Sequence, residues 1–388
     1  MAEAKLEDGR ITDEALEDFR NRVGTKLRIQ YQFNELASQD AIRKFADGIG
    51  DPNPLWRDAS YAKSSVYGSI TAPPSWVNSV LPTWVLQGLP GVHALHSSTD
   101  WEFYRPVLLN DRITPECYFT GCRVVKSEFA GRSILERQES RFYNQRGELV
   151  ARAKPAAFRV ERGAAREIGR YNTIELPHPW SEKELLEIED GVLNEKIQGP
   201  DTRYFEDVAI GEELPKIIKG PLGVSDIIAY CIGASPAPIR AHGLALRRYR
   251  EHPAWAFRDP DTSAMEPVYS VHYNKAAANA SGLPYPYDTA VQRHCWLIHL
   301  LTNWMGDEGW LKKSYAKFNG VVYLSDVVWI QGTVTKKYVD ENEECCVDIK
   351  TTATNQRGEE VMPGRSTVIL PSRESEVGPV IARVRGNR

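Results

Sequence analysis

His272 is the residue from which chemistry can start in this chain. It stands in the stretch Glu266 to Asp307, EPVYSVHYNKAAANASGLPYPYDTAVQRHCWLIHLLTNWMGD. That stretch combines a histidine beside a polar helix start, a turn carrying Gly282 and Pro284, an acid at the mouth of a second helix, and a long apolar helix. A histidine titrates close to neutrality, so it is the side chain best suited to accept and return a proton here. Two carboxylates are near it in sequence, each with a plainer role open to it. Glu266 also reads as a solvated loop charge. Asp288 also reads as a cap for the helix starting near Thr289. Arg293 lies a turn further on, within pairing reach of Asp288. His294 and His299 sit among Trp296, Leu297, Leu300 and Leu301 and read as packing or surface residues. Asp307 reads as a turn residue after the helix.

The elements that must position these residues come in two similar series. In the first, a helix begins at the N-cap candidate Ser38. The turn GDPNPLW follows, built from Gly50, Asp51, Pro52, Asn53 and Pro54. A short helix covers Asp58 to Ser64. PPSWVNSVLPTWVLQG is expected to form a longer apolar helix, kinked at Pro82. From His93 to Val160 the pattern changes to strand-like runs broken by Asn-Asp, Ala-Gly and Arg-Gly turns. Residues 161–200 are polar and charged with one helical piece, SEKELLEIED, and read as a linker. The plan then starts again, and everything after the apolar helix of the 266–307 stretch reads as strand.

The repetition is visible in the residues. Asn144-Gln145-Arg146-Gly147-Glu148 recurs 211 positions later as Asn355-Gln356-Arg357-Gly358-Glu359. KFADGIGDPNPLW aligns with AYCIGASPAPIR, placing Phe45 against Tyr230 at an offset of 185. WRDASYAKSSVYGSITAPPSW aligns with HYNKAAANASGLPYPYDTAVQ, placing Trp56 against His272 at an offset of 216. The change of offset implies an insertion of 31 residues in the second copy, around Arg240–Glu266. Its arginines, including Arg240, Arg247 and Arg248, suit phosphate as a group, although any one of them taken singly reads first as part of a solvated helix face.

FADGIGDPNPLWRDASYAKSSVYGSITAPPSW resembles the N-terminal domain of MaoC-like dehydratases, and VHYNKAAANASGLPYPYDTAVQRHCWLIHLLTNWMGDEGWL resembles the second domain of their two-domain members. The resemblance covers most of residues 20–372. It implies a double hot-dog, an α+β fold in which each half is a long helix wrapped by a curved antiparallel β-sheet. It also implies (R)-specific hydration of a trans-2-enoyl-CoA, or the reverse dehydration of a 3-hydroxyacyl-CoA. The family motif is Asp-x-Asn-Pro-x-His-x-Asp, with a glycine eighteen positions after the histidine. Asp and His handle the proton of water, and the glycine N–H meets the thioester oxygen as enolate charge builds.

The first copy departs from that motif. Asp51, Asn53, Pro54 and Asp58 match, but the histidine position is Trp56 and the oxyanion position is Pro74, which has no N–H to give. That half is expected to be structural, with Asp51, Asn53 and Trp56 at most shaping the site for substrate. In the second copy His272 is present and the oxyanion position is Ala290, whose N–H lies at a helix start. The leading acid is replaced by Pro267, leaving Glu266 or Asp288 to serve. The resemblance thus implies His272, Glu266 or Asp288, and the Ala290 N–H as catalytic parts, with Arg240, Arg247, Arg248 and Arg293 as candidates for binding the substrate.

Composition bounds the rest. The 388 residues are 42% hydrophobic and 26% charged, ordinary globular usage. A net charge of −4 and a pI near 6.1 give no general pull toward nucleic acid or an anionic membrane. No stretch approaches the length of a membrane span, and the acidic N-terminus does not read as a signal peptide. The six cysteines form no CxxC pair, so reduced thiols in a cytoplasmic protein are expected.

The expected domains are 1–160, a linker at 161–200, 201–372 and a tail at 373–388. No cofactor is expected beyond the coenzyme A of the substrate, and no metal. The expected partner is an acyl-CoA thioester, and the expected assembly a homodimer or higher homo-oligomer. Two rivals stay open: a thioesterase on the same fold using Asp288, and a non-catalytic acyl-CoA-binding subunit.

Overall fold

A computed structural model describes residues 5–171, 173–234, 237–375, 378–380 and 383; most of the expected C-terminal tail lies outside them. The first half contributes four long antiparallel strands, β1 (Val92–Phe103), β2 (Thr114–Ser127), β3 (Gly131–Tyr143) and β4 (Leu149–Glu161). The second half contributes β5 (Ile217–Lys219), a small ribbon of β6 (Ala256–Arg258) and β7 (Met265–Pro267), then β8 (Trp310–Lys317), β9 (Val328–Val339), β10 (Cys345–Asn355) and β11 (Gly364–Ile369). Nine of these make one sheet in the order β2-β3-β4-β1-β8-β11-β10-β9-β5. The two half-sheets meet edge to edge through β1 and β8, with Ser98 opposite Lys317 and Glu102 opposite Lys313. The result is a double hot-dog whose two halves share one continuous sheet.

The five-residue repeat marks the same turn in both halves. Asn144 Oδ1 accepts from the N–H groups of Arg146 and Glu148 at 3.0 and 3.1 Å, and its amide donates to Glu148 at 2.7 Å. Asn355 makes the same bonds to Arg357 and Glu359 at 3.0, 3.1 and 2.7 Å. The glycine that follows is left-handed in each, φ 76° and 74°, a region open to glycine at little cost. A second symmetric contact joins two helices. Gln39–Ile49, capped by Ser38 and ended by left-handed Gly50, packs on Val224–Ala234. A Cβ added at Gly48 would meet the Ala229 carbonyl oxygen at 2.7 Å, and one at Gly233 would meet the Lys44 carbonyl oxygen at 2.3 Å. These two glycines stand 185 positions apart, the offset seen in the sequence.

The halves differ where the site lies. In the second, Thr289 caps a sixteen-residue helix, Ala290–Met305. Every residue from Val291 to Met305 is buried, as expected of a helix enclosed by sheet and neighbouring helices. In the first half the expected long helix is absent. A 3₁₀ turn covers only Pro74–Ser79, and the chain beyond it is irregular, with Thr83 and Leu89 at positive φ. Pro82 begins the break, and sheet side chains complete it by bonding the backbone that a helix would have satisfied itself. Gln138 both donates to the Val85 carbonyl and accepts from its N–H, each at 2.8 Å. Ser140 donates to the carbonyl of Thr83. The buried Arg159 guanidinium reaches the carbonyls of Gln87, Gly88 and Leu89 and pairs with Glu136 at 3.2 Å.

Candidate active site

Where the first-half helix is missing, a cavity of about 930 Å³ opens. Its wall is shared by the irregular segment (Trp84, Val85), β1 (His93, His96) and the turn and helix start of the second half (His272, Tyr287). His272 ends a 3₁₀ turn, Val268–His272. Asn274, two residues on, caps the helix Lys275–Ala280 and donates to Asp259 at 2.7 Å. His272 is half-buried at the cavity. Its Nδ1–H donates to the Tyr287 carbonyl at 2.8 Å, which fixes the tautomer and leaves Nε2 as a lone-pair acceptor. Burial lowers its pKa to about 4, against the opposing pull of Tyr287 and Asp288. It is therefore a neutral base at ordinary pH.

Ala290 lines the same cavity. As the first residue of the long helix it has no intrahelical acceptor for its N–H. The Thr289 hydroxyl is turned to the Gln292 N–H at 3.3 Å. A free N–H at the positive end of a sixteen-residue helix is suited to a developing oxyanion.

The other expected residues fall outside this constellation in different ways. Asp288 is buried and bidentate to Arg293, at 2.6 Å to Nη2 and 2.8 Å to Nε. Arg293 spends its remaining Nη1 on the carbonyls of Gly320 and Val361, both at 3.0 Å. The pair clamps the helix start to the sheet, and both residues border the cavity. Glu266 lies in β7 opposite Phe257 and is not part of the cavity wall. Burial, and then Asp259, raise its pKa. Asp51, Asn53 and Trp56 are also away from the cavity. Asp51 accepts from the Asn53 N–H at 3.0 Å and from Trp56 Nε1 at 2.9 Å, and Asn53 caps the next turn through Leu55. These are turn and cap roles, and Trp56 is buried beside Asp51. Of the insertion arginines, Arg248 lines the cavity and lies over the Trp255 ring at 4.7 Å. Arg240 lies over Tyr31 at 5.5 Å, and Arg247 is exposed away from the wall.

Sequence reasoning missed His93, which reads simply as the first turn-out of a strand. It also missed a buried cluster around His299, whose Nε2 lies 2.6 Å from Glu195 and 3.5 Å from Asp51. Burial alone would raise Glu195, but His299, Lys219 and Asn303 hold it down at about 2. Its members come from positions 51, 195, 219, 299 and 303, with no local pattern to announce them.

The Asp288–Arg293 pair makes a stability prediction. Asp288→Ala leaves a buried guanidinium without its counter-charge, a change that costs about 3–5 kcal/mol. Denaturant unfolding should register a loss of that size. A loss below about 1 kcal/mol would mean that the pair is not closed off from water.

Comparison with known proteins follows this division. A profile of the FAS1-like dehydratase domain region matches residues 23–153. A UPF0336 protein of Streptomyces avermitilis is 34% identical over 83 residues, 20% of this chain, and the match spans 55% of that relative's length. A UPF0336 protein of Streptomyces coelicolor is 30% identical over 122 residues, 30% of this chain and 78% of the relative. Among solved structures, one titled MaoC-like dehydratase superposes with a TM-score of 0.61 at 16% identity, covering 90% of this chain and 99% of its own. A putative MaoC domain protein dehydratase from Chloroflexus aurantiacus gives 0.53 at 11% identity, covering 91% and 96%. A double-hotdog protein of Mycobacterium tuberculosis gives 0.52 at 10% identity, covering 90% and 96%.

Proposed function

This chain belongs to the UPF0336 family and has the double hot-dog fold of the MaoC-like dehydratases, and from that premise we propose that it hydrates a trans-2-enoyl-CoA or dehydrates a 3-hydroxyacyl-CoA. The observation that carries the reading is one cavity holding a neutral histidine with a fixed tautomer and a free N–H at a helix start. In the hydration direction, water gives a proton to His272 Nε2 as its oxygen bonds to Cβ. The C=C electrons move to the thioester carbonyl, whose oxygen takes enolate charge and is met by the Ala290 N–H. The imidazolium then returns its proton to Cα as the carbonyl re-forms. Dehydration is the reverse.

A volume near 930 Å³ is at the upper end for small-molecule sites and suits a bulky acyl group. Arg28 and Arg248 on the same wall suit the phosphates of coenzyme A. The thioesterase alternative needs a carboxylate free to act as base or nucleophile. Asp288 has both oxygens bound to Arg293.

The test is purified protein with short, long and aromatic trans-2-enoyl-CoAs, following enoyl-thioester absorbance. Absorbance loss without free thiol supports the hydratase. Thiol release in its place would support a thioesterase, and silence across the panel would sink the enzymatic reading. Arg248→Ala should raise KM for a CoA substrate roughly fivefold, the equivalent of about 1 kcal/mol. A pantetheine substrate should be unaffected, and equal effects on the two would remove Arg248 from phosphate binding.

A further inference from the structure

The hydratase reading leaves a gap. Two groups must accept the two hydrogens of the attacking water if its lone pair is to face Cβ, and no free carboxylate stands beside His272. The leading-acid position is Pro267, Asp288 is bound to Arg293, and Glu266 lies off the cavity wall. One buried polar pair on that wall has no part in the mechanism so far. His93, on β1 of the first half, lies with Nε2 3.3 Å from the hydroxyl of Tyr287. Both residues are buried and both border the cavity. The Tyr287 ring meets the His272 ring edge-on, with centroids 4.8 Å apart.

We propose, resting on that reading, that the Tyr287 hydroxyl is the second water-holding group of the site and that His93 is its positioning residue. Tyr287 then acts twice: its carbonyl sets the His272 tautomer, and its hydroxyl oxygen faces the water. The roles follow from donor and acceptor counting. Burial, and then the charge of Arg162, lower the His93 pKa to about 3, so at neutral pH Nε2 can accept the Tyr287 O–H. The phenol oxygen keeps its lone pairs free to accept one hydrogen of the water. His272 Nε2 accepts the other and takes the proton. The tyrosine gains and loses no proton over the cycle, so the balance of the reaction is unchanged. Burial also raises the Tyr287 pKa, which keeps the phenol protonated and the His93 bond intact. The half whose own motif is broken thereby supplies a part of the working site.

The test is steady-state kinetics on whichever enoyl-CoA the wild type turns over. Tyr287→Phe should lower kcat about tenfold or more with KM nearly unchanged, the size expected for one hydrogen bond made in the transition state. His93→Phe, which keeps the ring but not the acceptor, should fall to the same level, while His93→Gln, which offers an acceptor, should recover most of the rate. The double variant Tyr287→Phe with His93→Phe should be no slower than Tyr287→Phe alone, because the two act as one unit. A Tyr287→Phe enzyme with wild-type kcat, or a double variant whose losses multiply, would overturn the proposal and leave the hydratase reading standing. If thermal melting shows Tyr287→Phe unfolded, the His93→Phe and His93→Gln pair decides alone: equal kcat in the two overturns it. A wild type inactive on every enoyl-CoA would remove the hydratase reading and this role with it.

Discussion

His272→Ala is expected to lower kcat for enoyl-CoA hydration by about 10²–10⁴-fold, the range for loss of a positioned general base, with KM within about twofold. The size follows from the absence of a substitute. Asp288, which borders the cavity, is held by Arg293 through both oxygens, and Glu266, the nearest acid in sequence, is off the wall. The substitution also leaves the oxyanion donor in place, because the Ala290 N–H is set by the helix and its Thr289 cap, so a residual rate should remain. The pH profile gives a second check on the same residue. A base must be unprotonated to act. With its pKa lowered to about 4 by burial, His272 stays competent as pH falls from 8 to 5, where a histidine of ordinary pKa would be losing activity below about 6.5. A kcat/KM that falls with a midpoint near 6.5, on protein still folded, would mean that the base is exposed or is another group. Wild-type activity in the alanine variant would move the chemistry away from this cavity.

What the sequence made legible was local, and what it hid was long-range. The Asn-Gln-Arg-Gly-Glu repeat was readable because the asparagine closes its own turn and the glycine is left-handed, so the constraint lies within five residues. His272 and Ala290 were singled out by their spacing, and both border the cavity. The long helix expected over the Pro73–Gly88 stretch failed because its competitors are distant: Gln138, Ser140 and Arg159 bind its backbone from strands 53 to 72 residues away. That loss opens the cavity, so the largest error in the fold falls on the feature that most shapes the site. Arg293 was readable as a partner of Asp288, but its bonds to the carbonyls of Gly320 and Val361 depend on strands and turns far along the chain. Arg293 borders the cavity as well, so its place on the wall was legible but these further bonds were not. His93 gave no signal, since a histidine early in a strand is ambiguous until its neighbours from the other half are in place.

Those buried histidines also set an acid limit on the fold. His93 and His294 are buried, and burial lowers each pKa to about 3. His96 and His272 are only half-buried and are lowered to about 4, again first by burial. In the unfolded chain all four return to about 6.5. Between roughly pH 6.5 and 4 the unfolded state therefore binds more protons than the folded one, and stability is lost as pH falls through that window. For a buried histidine the loss by pH 5 is about 2 kcal/mol, and for the two half-buried ones it is smaller because water screens them. His93 and His294 alone thus remove about 4 kcal/mol, a large share of a typical stability of 5–15 kcal/mol. Glu136 and Asp307, raised by burial, act in the opposite direction and offset part of it. Glu195, held at about 2, contributes only at lower pH. Urea unfolding at pH 7.5, 6 and 5 should show stability falling by several kcal/mol, with a shallower fall in His294→Gln, which removes one of the buried rings and its 2.9 Å bond to Ser314. Stability that is level from pH 7.5 to 5 would mean that these rings reach solvent in the folded protein. The neutral state assigned to His272 and His93 would then fail along with the acid limit, because both rest on the same burial.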